Sequence, residues 1–425
     1  MRSKKLSPEF IFVLVTVAAI RFMAAGAAAQ TQVLHSFGKK GSGDWQTPNA
    51  PLIVDASGNL YGTTQLGGAY DAGTVFELTP EAGGGWTETL LYSFGYLHPD
   101  GYSPSSGLIF DAAGNLYGTT FEGGAYGLGT VFELSPQEGG GWKEKILHHF
   151  NNNGVDGFQP PAGVIFDAAG NLYGATSYGG LYYTGYYDAG GTVFELTPEA
   201  DGEWKEFILH SFGNGTDGQG PAAGVVLDAA GNLYGTTSSG GAFGQYTGTV
   251  FELERVGAGR WTEKILYNFR PPAGYEPTAP VVLDATGNLY GTTYSGGTGP
   301  CVGDDSSGCG TVFELSPQAG GTWKQTVVQN FDGVNGQFPS AGVILDSSGN
   351  LYGEALNGGS GGSGVVFALV PGVGGTWTDR VLHNFVGSDG FAPIEGLVFD
   401  NAGNLYGSTA SGGAYQYGVV FEVTP

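Results

Sequence analysis

Two glutamates stand at positions of an internal repeat where the other copies carry small residues or threonine. Glu354 follows one Asn-Leu-Tyr-Gly motif, and Glu395 precedes the first predicted strand of the next repeat. A third glutamate, Glu276, lies in the corresponding region of an earlier repeat. Carboxylate pairs separated by roughly 5 to 9.5 Å cleave glycosidic bonds by acid/base chemistry. The three residues are therefore candidate catalytic groups; the alternative is neutral drift in a tolerant repeat.

A second set of carboxylates recurs in the loops between repeats. Each loop reads Asp or Asn, then Gly, then Tyr, Phe or Gln, then any residue, then Pro. A ring of carboxylates can bind a cation or sugar hydroxyls; alternatively, each Asp caps its own loop through local amides. The members are Asp100, Asp156, Asp217, Asn335 and Asp389, whereas Asp44 lacks the following Gly and Ala273 replaces the carboxylate.

Aromatic residues are concentrated in one glycine-rich loop of most repeats. Flat rings beside carboxylates and amides suit a carbohydrate, because the rings cover sugar C–H groups and the polar groups fix orientation. The alternative is packing between neighbouring loops. The candidates are Tyr70, Tyr126, Tyr182, Tyr183, Tyr186, Tyr187, Phe243, Tyr246, Tyr415 and Tyr417.

Histidines contribute little to this candidate chemistry. Four of them, His35, His148, His210 and His383, share one repeated position, which predicts a structural role. His98 lies in a candidate loop, where a single exposed histidine is more often solvated than catalytic. The sequence contains no nucleophile elbow, phosphate loop, dinucleotide fingerprint or cluster of metal ligands. We therefore predict no cofactor and no metal site, and leave open a structural cation such as calcium.

The candidate residues are positioned by an Asp-x-x-Gly-Asn-Leu-Tyr-Gly motif that occurs seven times. The copies begin at Asp55, Asp111, Asp167, Asp228, Asp284, Asp346 and Asp400. The motif predicts a tight turn in which Asp bonds turn amides and Gly takes a positive φ. With 80 glycines and many short Val, Ile, Phe and Tyr runs, the chain is predicted to be all-β. Each repeat reads as four antiparallel strands, which is a propeller blade.

The two ends of the chain share one repeat. The last repeat stops at residues 422–425, directly after its third strand, and lacks the fourth. Residues 32–37 match the fourth strand that ends at Phe212 in the third repeat. We therefore predict a closed seven-bladed β-propeller whose amino-terminal strand is the outer strand of blade 7. An open solenoid is the alternative, but it gives no reason for the split repeat.

The amino terminus has the features of an export signal. Basic residues precede an apolar run at 11–20, and Ala27-Ala28-Ala29 forms a small-residue cleavage site. We predict removal of residues 1–29, which leaves one propeller domain at 30–425 in a secreted or periplasmic protein. A retained membrane anchor is the alternative, although the apolar run is short and Arg21 interrupts it.

In an exported protein, the two cysteines, Cys301 and Cys309, are predicted to form a local disulfide rather than a metal site. The formal net charge of -24 opposes binding to nucleic acid and to anionic lipid. The remaining partner classes are polysaccharides, cations and other extracellular ligands, and we expect a monomer.

The repeat resembles the GloVer-type tandem repeat of exported bacterial proteins. The resemblance rests on residues 114–120, 123–124 and 129–134, and it extends over residues 31–425. It implies a repeat architecture and export, and it implies no shared activity or catalytic residues. Several relatives carry a carboxy-terminal sorting segment; this chain ends at Pro425 without one, which favours release over anchoring.

The sequence therefore predicts a secreted propeller that binds an extracellular ligand, a carbohydrate, through its loop-rich face. One alternative is a carbohydrate-active enzyme, either a glycoside hydrolase or a polysaccharide lyase, that uses the glutamates. Another is a structural surface protein that binds other proteins.

Overall fold

The repeated Asp-x-x-Gly-Asn turn joins the first and second strands of every blade. In the computed structural model, Asp111 Oδ1 accepts hydrogen bonds from the backbone N–H groups of Ala113 at 2.8 Å and Asn115 at 2.9 Å. Asp111 Oδ2 accepts a third from Asn115 Nδ2 at 2.8 Å, and Gly114 has a φ of 85°. The predicted turn chemistry is therefore confirmed. The turn aligns the flanking residues as an antiparallel pair.

The structure describes residues 29–39, 47–95, 99–104, 106–185, 190–257, 259–301 and 307–425. They form seven four-stranded antiparallel blades, as predicted. Strands one to four are Ile53–Val54, Leu60–Thr64, Thr74–Pro80 and Trp86–Ser93 in blade 1; Ile109–Phe110, Leu116–Thr120, Thr130–Pro136 and Trp142–His149 in blade 2; Ile165–Phe166, Leu172–Thr176, Thr192–Pro198 and Trp204–Ser211 in blade 3; and Val226–Leu227, Leu233–Gly240, Thr249–Arg255 and Trp261–Asn268 in blade 4.

The remaining blades follow the same order. Their strands are Val282–Leu283, Leu289–Thr293, Thr311–Pro317 and Trp323–Asn330 in blade 5; Ile344–Leu345, Leu351–Ala355, Val365–Pro371 and Trp377–Asn384 in blade 6; and Val398–Phe399, Leu405–Ser411, Val419–Thr424 and Gln30–Ser36 in blade 7. A short 3-10 helix, Val373–Gly375, joins the last two strands of blade 6.

The loops between blades lie on the same face as the loops between second and third strands. Each inter-blade loop pairs with the second strand of the blade that follows, or with its extension, through a short antiparallel bridge. The bridging strands are Gly101–Tyr102 with Glu122–Gly123, Gly157–Phe158 with Tyr178–Gly179, Gly218–Pro221 with Leu233–Gly240, and Phe391–Pro393 with Leu405–Ser411. The two loop types therefore form one continuous loop-rich face.

The amino-terminal strand closes the ring. Gln30–Ser36 pairs antiparallel with Val419–Thr424, with Gln30 opposite Thr424 and Ser36 opposite Val419. This pairing completes blade 7 from both ends of the chain. The predicted closure is confirmed, and the open-solenoid alternative is wrong.

Pairs of buried phenylalanines join adjacent blades. The phenylalanine after each fourth strand lies edge-on or tilted against a phenylalanine in the third strand of the next blade, with ring centroids 4.9 to 5.3 Å apart. The pairs are Phe37–Phe76, Phe94–Phe132, Phe150–Phe194, Phe212–Phe251, Phe269–Phe313, Phe331–Phe367 and Phe385–Phe421. The first pair joins blade 7 to blade 1, so a buried hydrophobic cluster lies at every one of the seven blade junctions.

The segments that precede the first strands meet between neighbouring blades. A Cβ atom at Gly163 would lie 2.3 Å from the carbonyl oxygen of Gly107, its counterpart in the preceding blade. This approach requires glycine. Side chains next to these segments therefore lie at blade junctions, which is where Glu395 occurs.

The structure also bears on the predictions for the cysteines and the amino terminus. Cys301 and Cys309 form a disulfide, as predicted. Residues 1–28 of the predicted signal lie outside the described residues. In the part of the chain that the structure describes, no helix has the length and hydrophobicity needed to cross a membrane.

Candidate functional site

A threonine in the second strand of four blades forms a hydrogen bond to the next blade. Its hydroxyl donates to a backbone carbonyl oxygen in the next blade. The accepting residue lies two positions before the first buried aliphatic side chain of that blade. These bonds are Thr63 to Ser106 at 3.4 Å, Thr119 to Ala162 at 3.0 Å, Thr236 to Ala279 at 2.9 Å and Thr292 to Ala341 at 2.9 Å. The repeated position is therefore a structural link between blades.

Glu354 replaces this threonine in blade 6, and it makes a different link. Its Oε2 accepts a hydrogen bond from the backbone N–H of Gly396 at 2.8 Å, and the side chain is fully buried. Among the described residues, Glu354 Oε1 has no hydrogen-bond partner. Glu395 directly precedes Gly396, so the structure brings the two unusual glutamates together at the junction of blades 6 and 7.

Both carboxyl groups are destabilised in their ionised forms. Burial raises the pKa of Glu354 to about 8, and the Gly396 hydrogen bond opposes this only in part. Glu395 keeps some solvent-accessible surface, but protein surrounds its carboxyl group. This burial and the adjacent charge of Glu354 raise the pKa of Glu395 to about 8. Near pH 7 the pair is thus predominantly protonated, and Glu354 offers no exposed atom to a substrate.

Glu276 does not join this pair. It lies at the junction of blades 4 and 5, where its backbone N–H donates to Thr247 O at 3.1 Å. Its Oε2 accepts a hydrogen bond from Ser295 Oγ at 2.9 Å, and its φ is 57°. The three glutamates therefore do not form one catalytic centre.

The loop aspartates cap their own loops. Asp100 Oδ2 accepts a hydrogen bond from the backbone N–H of Gly95 at 2.8 Å, and Asp156 Oδ2 accepts one from that of Asn151 at 3.0 Å. Asp389 Oδ1 accepts one from Val386 N–H at 2.8 Å. These bonds confirm the capping interpretation for three of the aspartates. Asp44 and His98 lie outside the described residues.

The same aspartates also meet side chains from two fourth strands, an arrangement that the sequence analysis missed. His148 Nε2 lies 3.3 Å from Asp156 Oδ2 and 3.5 Å from Glu206 Oε1 of the next blade. At the following junction, His210 Nε2 lies 3.0 Å from Asp217 Oδ2 and 3.9 Å from Glu263 Oε1. Burial, followed by the opposing aspartate, raises the pKa of both Glu206 and Glu263 to about 9.

A sequence signal for these clusters does exist. Glu206 and His210 are four residues apart on one strand, but the β-bulge between Ile208 and His210 places them on opposite faces, so each meets a different neighbouring blade. The repeated histidine position predicts a structural role, and the sequence assigns no role to Glu206. Pairing across blades became visible only when the fourth strands were placed side by side.

Several candidate aromatic side chains remain exposed on the loop-rich face. Their exposed fractions are 59% for Tyr70, 62% for Tyr126, 40% for Tyr182, 50% for Phe243, 66% for Tyr246, 42% for Tyr415 and 40% for Tyr417. Tyr183 instead packs edge-on against Phe158, with ring centroids 5.3 Å apart. Arg270 lies 5.2 Å from the centre of the Phe243 ring. Tyr186 and Tyr187 lie outside the described residues.

One exposed tyrosine lines a groove between blades 3 and 4. The groove has a volume of about 540 Å³. Its lining combines apolar and aromatic side chains, among them Val155, Leu181 and Tyr182, with polar ones. The polar residues include His210, Asn214, Thr216, Asp217 and Glu263. A second groove of about 590 Å³, between blades 5 and 6, is lined mainly by glycines with Val334, Gln337, Val381 and Asn384.

These features define a closed seven-bladed propeller built from one repeat, with its variable side chains on the loop-rich face and at the blade junctions. The family model for the Gloeobacter/Verrucomicrobia repeat matches residues 21–198, 140–303 and 299–425. The chain therefore belongs to this repeat family, as the sequence resemblance indicated.

Two solved structures are similar to this chain at low sequence identity. A luciferin-regenerating enzyme is 12% identical, with 93% of this chain and 95% of that chain covered and a TM-score of 0.42. A protein from Thermus thermophilus described as a putative oxidoreductase (glucose dehydrogenase) is 15% identical, with 93% and 100% covered and a TM-score of 0.43. A comparison with curated proteins finds no match. Neither structural neighbour informs the activity of this chain.

Proposed function

We propose that this protein is a secreted propeller that binds an extracellular carbohydrate through its loop-rich face, with the groove between blades 3 and 4 as the main site. The observation that carries the proposal is the exposed Tyr182 ring, which lines a groove of about 540 Å³ together with Leu181 and several polar side chains. Protein pockets for small ligands have comparable volumes.

The mixed lining of the groove suits the apolar and polar surfaces of a sugar. An aromatic ring covers C–H groups, while amide, hydroxyl and carboxylate groups pair with sugar hydroxyls. Asn214 Nδ2 lies 3.4 Å from Tyr182 Oη, so the ring and the amide occupy the same end of the groove. The other exposed rings on this face would extend contact along a longer polymer.

The experiment is a binding screen of the purified mature protein against plant and microbial polysaccharides, followed by titration calorimetry. For a polysaccharide that binds, Tyr182→Ala should weaken affinity by roughly tenfold, because the main apolar contact is lost. Val334→Ala is the matched control, since Val334 lines the other groove, which contains no aromatic side chain among its lining residues. Absence of binding across the screen, or equal effects of the two variants, would contradict the proposal.

A carbohydrate-active enzyme remains the alternative for the same ligand class. The burial of Glu354 and its bond to Gly396 favour binding over cleavage. Assaying each bound polysaccharide for new reducing ends separates the two functions. Cleavage that is lost in both Glu354→Gln and Glu395→Gln would establish the enzyme instead.

A further inference from the structure

We propose that the clusters His148–Asp156–Glu206 and His210–Asp217–Glu263 are two divalent-metal sites, each able to hold Zn²⁺ at a blade junction. In each cluster, one potential ligand atom from each residue lies within 4.8 Å of the other two. Metal binding does not require a bound carbohydrate, although His210, Asp217 and Glu263 also line the groove between blades 3 and 4. The sites give the repeated histidines and loop aspartates a role beyond structure.

Two of the three ligand separations in the first cluster match those around a tetrahedral metal. Zinc bonds of about 2.0 to 2.2 Å to nitrogen and oxygen place neighbouring ligand atoms roughly 3.3 Å apart. The distances from His148 Nε2 are 3.3 Å to Asp156 Oδ2 and 3.5 Å to Glu206 Oε1. One imidazole and two carboxylates would leave the fourth position for water. The second cluster has the same donors, but its Glu263 oxygen is farther away, at 3.9 Å.

Buried carboxylate oxygens without partners point independently to a missing ligand. The Asp156 and Asp217 side chains are only 4% and 6% exposed. Within the described part of the chain, Oδ1 of each aspartate has no hydrogen-bond partner, and neither does Oε1 of Glu206 or Glu263. Each aspartate faces its glutamate across the junction, with ligand atoms of the two residues within 4.8 Å of each other. A cation between them would neutralise the two carboxylates and supply a partner for these oxygens.

The surroundings would hold the ligands in place. The His148 ring packs edge-on against Phe150, with centroids 4.8 Å apart, and His210 packs against Phe212 at 4.5 Å. Asp156 Oδ2 also accepts hydrogen bonds from the backbone N–H and the Nδ2 of Asn151, both at 3.0 Å. Ligands fixed in this way lose little freedom when a metal binds. The second cluster opens onto the groove between blades 3 and 4, which supplies an entry path.

Imidazole with carboxylates favours a first-row transition ion over calcium, which prefers oxygen ligands.

Two other blade junctions of the same chain lack one of the three proposed ligands and serve as internal comparisons. The junction of blades 1 and 2 has Tyr92 in place of the histidine, beside Asp100 and Glu144. The junction of blades 6 and 7 keeps His383 with Asp389 at 3.0 Å, but by strand register Thr31 replaces the glutamate.

The experiment uses purified mature protein stripped with chelator, titrated with Zn²⁺ alone and analysed for bound metal after desalting. The double variant His148→Gln/His210→Gln should bind two fewer equivalents than the wild type, and each single variant one fewer. His383→Gln is the matched control and should bind as many as the wild type. Zn²⁺ should also raise the melting temperature of the wild type more than that of the double variant.

The result that overturns the proposal is a wild type that retains no Zn²⁺, or a double variant that retains as many equivalents as the wild type. A folded double variant is verified by circular dichroism. If the double variant does not fold, Glu206→Gln/Glu263→Gln replaces it, since glutamine keeps the side-chain shape and removes one charged ligand from each cluster. Calcium binding in place of zinc would also contradict the assignment.

Discussion

At the residue scale, the departures from the repeat show how one position serves different purposes. Thr119 links two blades through a neutral hydroxyl, whereas Glu354 links blades 6 and 7 through a buried carboxyl group. A neutral hydroxyl is buried at modest cost, but a carboxyl group is tolerated there chiefly in its protonated form. The change therefore couples this blade junction to pH.

We predict that Glu354→Gln reduces the pH dependence of stability. Burial raises the pKa of Glu354 in the folded state to about 8, above the ordinary value of 4.5. Between these two pH values the folded state therefore binds a proton that the unfolded state has released. The contribution of Glu354 to stability is therefore complete below about pH 4.5 and is lost as pH rises towards 8. Across that window, the variant should gain on the wild type by up to roughly 1.4 kcal/mol per pH unit.

Denaturant unfolding of both proteins at pH 5, 6, 7 and 8 measures this difference. Glu138→Gln, at an exposed position of a surface turn, is the control and should track the wild type at every pH. If Glu354→Gln also tracks the wild type, the Glu354 carboxyl group ionises freely in the folded protein.

At the element scale, the amino-terminal strand supplies the fourth strand of blade 7. In the other six blades the fourth strand follows the third directly along the chain. It pairs with Val419–Thr424 across the chain ends, and it delivers Phe37 to the same packing position that Phe150 occupies between blades 2 and 3. Backbone pairing and a buried ring together hold the final blade. Neither end of the chain can complete blade 7 alone.

We predict that Phe37→Ala destabilises the protein by about 3 to 5 kcal/mol, the usual cost of a buried phenylalanine cavity. Phe37 is fully buried, whereas Gln32 of the same strand is exposed, so Gln32→Ala is the control. Thermal melts of the two variants measure the difference.

Deleting residues 30–37 should expose the unpaired edge of Val419–Thr424 and promote aggregation. A truncated protein that melted like the wild type would contradict the role of this strand in closure.

At the scale of the whole molecule, the predicted signal cleavage site and the closing strand are adjacent in the chain. The strand that completes blade 7 begins at Gln30, directly after the predicted cleavage site at Ala29. We predict that the exported protein begins at Gln30, because cleavage there leaves the closing strand intact. Intact-mass measurement of protein recovered from the extracellular or periplasmic fraction tests this. A mass that retains residues 1–29 would contradict it, and a mass that lacks residues beyond 37 would contradict closure.

The periodic sequence determined the fold because the same turn and strand chemistry appears seven times, and a missing strand at one end matches a spare strand at the other. Asp111, Gly114 and Asn115 specify their turn within five residues, so local chemistry was sufficient. Sequence comparison also singled out Glu354 and Glu395, since a departure from a repeat is visible without coordinates. Whether these carboxyl groups reached solvent depended on packing between blades.

Only the tertiary structure decided which side chains meet across the junctions. Glu206 is 58 residues from His148 in the sequence, yet their side chains lie 3.5 Å apart because the fourth strands of adjacent blades stand side by side. The same packing placed Tyr183 against Phe158 while leaving Tyr182 exposed beside the groove. Turn chemistry acts between neighbours in the chain, whereas burial and charge pairing are properties of surfaces that exist only once the blades are assembled.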